Sequence, residues 1–157
     1  MIAPSDSLPP VEYWPCASVT LSAAGLWQPA EADDGEAVEC FLAQVYGPGL
    51  VLIDAVAWQP ADPSRWWLRY GQATYLGEAA IFLANAEGKP VELVGTPSEY
   101  LARDGRALCI LSWSADVAAI VSEAEHGLVC SDPQLAERVH STIAQQRRER
   151  VWIEVAT

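Results

Sequence analysis

Two groups of side chains in this chain have the types and spacing for chemistry or recognition. The first is made of carboxylates and hydroxyls. Asp54 sits in the apolar run Leu50–Trp58, and Ser112, Ser114 and Asp116 lie at and just beyond the end of the apolar run Ala107–Trp113. A carboxylate in an apolar strand is costly to bury unless it is paired. Asp54 is therefore a candidate acid, a candidate metal ligand, or the ion-pair partner of Arg65 or Arg69. A nucleophilic serine needs a partner base and usually a sharp turn of the G-x-S-x-G kind. Neither Ser112 nor Ser114 has flanking glycines. Ser114 and Asp116 also suit a helix start, one as a cap and the other as a complement to the helix dipole.

The second group is aromatic and cationic: Trp58, Arg65, Trp66, Trp67, Arg69 and Tyr70. Aromatic rings and Arg dominate binding hot spots, and a guanidinium stacked on indole adds a cation–π attraction. These six are the expected binding surface. Asp54, Ser112, Ser114 and Asp116 are the alternative site, that of a small enzyme. Strand alternation would send Trp66 inward and Trp67 outward.

Other chemistry is poorly provided for. His126 and His140 are the two histidines, and neither shares short ligand spacing with cysteine or carboxylate, so no metal is expected. Cys16, Cys40, Cys109 and Cys130 are too few and too scattered for a disulfide framework and suit small core positions. Phosphate-cradling P-loop and G-x-G-x-x-G patterns are missing, and no cofactor is expected.

Charge narrows the partners. The net charge is −12, and residues 1–64 hold nine acids without one Lys or Arg. Nucleic-acid binding depends on neutralising phosphates with Lys and Arg, so direct binding to DNA or RNA is disfavoured. A basic protein partner is the complementary choice, and solubility is the simpler use of the same charge. No apolar run approaches the roughly 18 residues of a membrane span. The start Met1–Ser7 lacks the basic and apolar parts of a secretory signal, which leads to a cytoplasmic expectation.

The elements that must position these residues follow from periodicity. Residues 1–30 carry Pro4, Pro9, Pro10, Pro15 and Pro29 and are expected to be an irregular segment packed on the domain. Residues 31–157 are expected to form a single α/β domain. Val38, Phe41, Leu42 and Val45 fit a helix over Glu36–Tyr46. Strands are expected at Leu50–Trp58, Pro90–Val94, Ala107–Trp113, Leu128–Cys130 and Val151–Val155. Helices are expected from Gly77, from the capping box Thr96-Pro97-Ser98-Glu99, from Ala115 and from Pro133. Alternation at this spacing implies an α/β fold with a mostly parallel sheet and crossover helices. In such sheets a site lies beyond the strand ends, where Ser112, Ser114 and Asp116 fall.

The stretch Ile53–Gly71, with its Trp-Gln-Pro-Ala-Asp-Pro-Ser-Arg-Trp-Trp core, resembles segments of uncharacterised proteins of proteobacterial prophages and mobile elements. The run Gly88–Trp113 is similar to them as well, and together the two cover under half of the chain. The resemblance implies a mobile-element context and an α/β fold, and it carries no catalytic residue. Three functions are thus expected, in this order. The first is a non-enzymatic accessory or protein-binding module using the Trp58–Tyr70 segment and the acidic N-terminal region. Next comes a small α/β enzyme acting on a phosphorylated or nucleotide-like ligand. The last is an acidic decoy or immunity-type inhibitor that meets a basic enzyme through residues 31–39.

Overall fold

In the computed structural model, which describes residues 13–155 and the side chains of 17–149, the chain opens with strands that pair without a helical crossover. β1 (Tyr13–Leu21), β2 (Trp27–Pro29), β3 (Val38–Gly47), β4 (Val51–Gln59) and β5 (Asp62–Leu68) form an antiparallel sheet in the order β2-β1-β3-β4-β5. Tight links impose that pairing. A single 3-10 turn, Pro48–Leu50, joins β3 to β4, and Gly49 takes φ 75° within it. Only Pro60 and Ala61 separate β4 from β5. At the far edges Leu26 makes a parallel bridge to Leu68, and the Leu68 N–H donates to the Gly25 carbonyl at 3.2 Å. The sheet therefore rolls into a small, incompletely closed barrel with little free edge.

Strand alternation gives the barrel two apolar faces. Val19, Trp27, Cys40, Leu42 and Ala57 share the inner cluster with Ala55 and Trp67. Ala43, Val45, Val56 and Trp58 belong to the outer cluster, where they meet a second layer. That layer is a four-stranded sheet ordered β6 (Tyr75–Leu76), β8 (Ala107–Ile110), β7 (Val91–Val94), β9 (Leu128–Val129). Helices α1 (Glu78–Glu87), α3 (Val117–Ser122) and α4 (Pro133–Val155) supply Ile81, Ile120, Leu135 and Val139 to its other face. On the barrel side, α2 (Pro97–Ala102) contributes Tyr100 and Leu101. In β8 and just past it, Ala107, Cys109 and Leu111 face the barrel while Leu108 and Ile110 face the helices. The strand is buried on both sides, as its unbroken apolar run requires. Each fully buried side chain of the Leu108 or Ile110 kind contributes roughly 2 kcal/mol.

The mostly parallel sheet with crossover helices does not form. Among the strand ladders parallel pairing is confined to β7–β8 and β7–β9, while β6–β8 and every ladder of the larger sheet are antiparallel, the single Leu26–Leu68 bridge at its edges being parallel. The expected helix Glu36–Tyr46 is the ten-residue strand β3. Its two faces are both apolar, so alternation is erased, and the residues left standing happen to repeat at three and four. Of the segment expected to be irregular, residues 13–21 and 27–29 are strands. Its two described prolines sit where strands tolerate them. Pro15 lies within the register shift between Trp14 and Ala17, and Pro29 ends an edge strand. Residues 1–12 of the expected irregular segment lie outside the described residues. The expected last strand, Val151–Val155, is instead the end of α4.

Candidate functional site at the mouth of the barrel

The segment Trp58–Tyr70 does not present one surface. Trp58, next to last in β4, is 1% exposed, and its ring is tilted against Phe41 at 5.8 Å between ring centres. Trp66 and Trp67 occupy successive positions of β5 and so point to opposite faces. Trp66 reaches toward the second layer, where its indole N–H donates to the Leu111 carbonyl at 3.0 Å. Trp67 packs on the inner cluster, with the exposed Arg65 guanidinium 5.4 Å from its ring centre. Trp58 and Trp66 are thus spent on joining the layers. Arg69 and the exposed Tyr70, which follow β5, are left at the mouth of the barrel.

Asp54 explains why they stand there. It is 2% exposed, and its carboxylate accepts four backbone N–H groups. Oδ1 takes those of Ala55 at 2.8 Å and Tyr70 at 2.9 Å. Oδ2 takes those of Gln72 at 2.8 Å and Ala73 at 3.0 Å. A carboxylate has about four acceptor positions, so this one is filled by the loop that leaves β5. The partner of the buried charge is backbone, not Arg65 or Arg69. The Arg69 N–H adds a bond to the Ala55 carbonyl at 2.9 Å, which fixes the same loop to β4.

Arg69 is held by rings. Its guanidinium lies 5.1 Å from the Trp27 ring centre and 5.7 Å from that of Tyr70, and Nη1 donates to the Trp27 carbonyl at 3.4 Å. Trp27 is itself anchored, because its indole N–H donates to the Ala55 carbonyl at 2.9 Å. Beside this stack opens a largely apolar groove of about 480 Å³ that enters the barrel past Trp27, Leu42, Gln44, Leu52, Arg69 and Tyr70. Gln44 lines it beside Asp54, with Oε1 accepting the Tyr46 hydroxyl at 2.6 Å. Leu52 is 53% exposed at the rim, next to the still barer Val51. Such groove dimensions and lining are those of a binding site at a barrel mouth.

Arg69 also lines a second hollow, of about 680 Å³, with Thr20, Gln28, Glu31, Asp33 and Asp34. Glu31 and Asp33 are exposed. Asp34 is tied down by the Thr20 hydroxyl and by the Glu36 N–H, which together hold its carboxyl below the usual range. One guanidinium therefore stands between an apolar groove and an acidic loop.

The alternative site does not assemble around Asp54. Ser112 and Ser114 lie 3.1 Å apart through their hydroxyls, and Asp116 caps α3 by accepting the Ala119 N–H at 3.1 Å. None of the three lines the groove that Asp54 borders. His126 and His140 are exposed, and no group of three or more potential metal ligands occurs among the described residues. Trp27, Leu42, Gln44 and Leu52 are among the groove residues that sequence reasoning does not single out. Trp27 carried one usable signal, a large ring in a segment taken to be irregular. Leu42 would have surfaced once β3 was read as a strand. Comparison with protein-family models, with curated proteins and with solved structures finds no match, so what the mouth can hold is a question for its own geometry.

Proposed function

We propose that this protein is a non-enzymatic, protein-binding module whose contact site is the barrel mouth, and that an apolar side chain of the partner seats in the groove. The observation that carries this reading is the pre-built groove beside Arg69, with its guanidinium packed against Trp27 and Tyr70. Rigid rings and a preorganised guanidinium give contact area at small entropic cost. The filled carboxylate of Asp54 and the capping role of Asp116 support leaving catalysis out. No helix among the described residues is long and apolar enough to cross a membrane. A cytoplasmic site of action belongs to the same reading, and the free thiols of Cys40, Cys109 and Cys130 suit it.

The test uses the simplest occupants. N-acetyl-tryptophanamide and N-acetyl-leucinamide, titrated into isotope-labelled protein, should move the amide resonances of Leu42, Gln44, Ala55 and Tyr70 saturably. The double variant Leu52→Ser, Tyr70→Ala should abolish those shifts at unchanged thermal midpoint, since both side chains are exposed. Shifts scattered over the surface, or none at millimolar probe, would rule the groove out as the contact site.

A further inference from the structure

We propose, on the strength of the binding reading above, that the partner segment is a basic one in which an apolar or aromatic side chain is followed directly by Lys or Arg. The apolar side chain fills the groove beside Trp27 and Leu42, and the cation lies across Arg69 on the Glu31–Asp34 loop. Adjacency carries the argument. The two hollows share Arg69 as a common wall, so neighbouring residues of one extended segment can reach both. A third hollow, of about 380 Å³, continues the same surface past Leu21, Ser22 and Leu26 and is again walled by Arg69 and Tyr70.

Charge decides between a basic and an acidic occupant. Arg69 by itself would draw a carboxylate into the groove. Its guanidinium, however, is already covered by Trp27 and Tyr70 and donates to the Trp27 carbonyl. Against its one positive charge the adjoining hollow sets the three carboxylates of Glu31, Asp33 and Asp34. No Lys or Arg occurs anywhere in residues 1–64 to offset them. The field over the mouth is therefore negative, and it favours a cation beside the anchor. Leu52, which lines the groove and is followed back along the chain by the exposed Val51 and Leu50, makes this part of the rim apolar and suits the apolar end of the segment.

The test titrates the intact protein with three probes: a hexapeptide carrying one Trp followed by two Lys, the same peptide with Glu in place of Lys, and decanoate. The Lys peptide should bind at least about tenfold more tightly than the Glu peptide. Its affinity should fall about tenfold as salt rises from about 50 to about 500 mM. The double variant Glu31→Gln, Asp33→Asn should weaken the Lys peptide about fivefold and leave binding of N-acetyl-tryptophanamide unchanged. Tighter binding of decanoate or of the Glu peptide, lost in Arg69→Gln, would overturn the proposal in favour of an anion-tailed ligand while leaving the groove as the site. No preference between the peptides, or a groove closed by a second copy of the chain in sedimentation at rising concentration, would overturn it as well. Lys-peptide shifts that fall outside the groove would instead sink the underlying binding reading.

Discussion

At the scale of single residues, Asp54 does the most for the site by building its wall, with every acceptor position of its carboxylate turned to backbone. Its two oxygens gather the N–H groups of Tyr70, Gln72 and Ala73, and so aim the turn that carries Arg69 and Tyr70. Asp54→Asn keeps the shape but turns one acceptor into a donor that faces N–H groups. Bonds to a charged acceptor are worth more than neutral ones, and buried donors left without acceptors are penalised. The variant should lose about 3 kcal/mol in urea unfolding, with faster hydrogen exchange at Tyr70, Gln72 and Ala73. A loss under about 1 kcal/mol would mean that the loop is held by other means. The cost of this carboxylate was readable from its apolar surroundings; its partner was not. Side-chain types point to Arg65 and Arg69, whereas the true donors are backbone N–H groups, and every residue but proline has one. The same blindness affected the Trp-rich segment. Alternation puts Trp66 and Trp67 on opposite faces, but it does not show that the second layer takes the Trp66 indole to the Leu111 carbonyl or that Trp67 turns to the inner cluster and not outward.

Among the elements, those governed by local chemistry were the legible ones. The box Thr96-Pro97-Ser98-Glu99 starts α2 as expected, with Thr96 Oγ1 accepting from the Glu99 N–H at 3.2 Å and Glu99 Oε2 accepting from the Thr96 N–H at 3.0 Å. Strand β3 was misread because its identity depends on neighbours. Val38, Cys40 and Leu42 serve the inside of the barrel, while Phe41, Ala43 and Val45 serve the outside, and a strand wanted on both faces shows no alternation. Unless β3 is a strand, neither the barrel nor its mouth follows from the sequence. Glycines give an element-scale test of how tightly the second layer is joined. Gly77 opens α1 at φ 116°, and a Cβ there would stand 2.2 Å from the Ala107 carbonyl oxygen of β8. Gly88 closes the same helix at φ 66° with open space around it. Gly88→Ala should therefore cost only the left-handed strain, about 1 kcal/mol. Gly77→Ala adds a collision with fixed backbone and should cost about 3 kcal/mol or more. Equal losses in thermal or urea unfolding would show that α1 can slide away from β8.

Across the whole molecule, the barrel and the layer behind it share one core, and this makes stability against alkali a property of their junction. Val45, Val56 and Trp58 from the barrel meet Val94, Tyr100, Cys109 and Leu111 from the second layer. Two of these groups can ionise. Burial, with the nearby Cys109 and Tyr46, pushes the Tyr100 hydroxyl up from 10.0 to about 12. Burial, and then Glu99, raises the Cys109 thiol well above its ordinary 9.0. In both cases folding favours the protonated form. The stabilisation is then complete below the ordinary values and is lost as pH climbs through the raised ones. The urea midpoint should accordingly hold from neutral pH to about 9, and fall as pH passes from about 10 to about 12. Tryptophan fluorescence, which reports mainly on the barrel, and the helical circular dichroism of α1–α4 should collapse at one midpoint, because neither layer keeps its inner face covered without the other. Tyr100→Phe, which removes one of the two ionising groups, should make the alkaline fall shallower. A helical signal that outlasts the fluorescence change would mean that the second layer stands alone, and that the barrel is a module laid upon it.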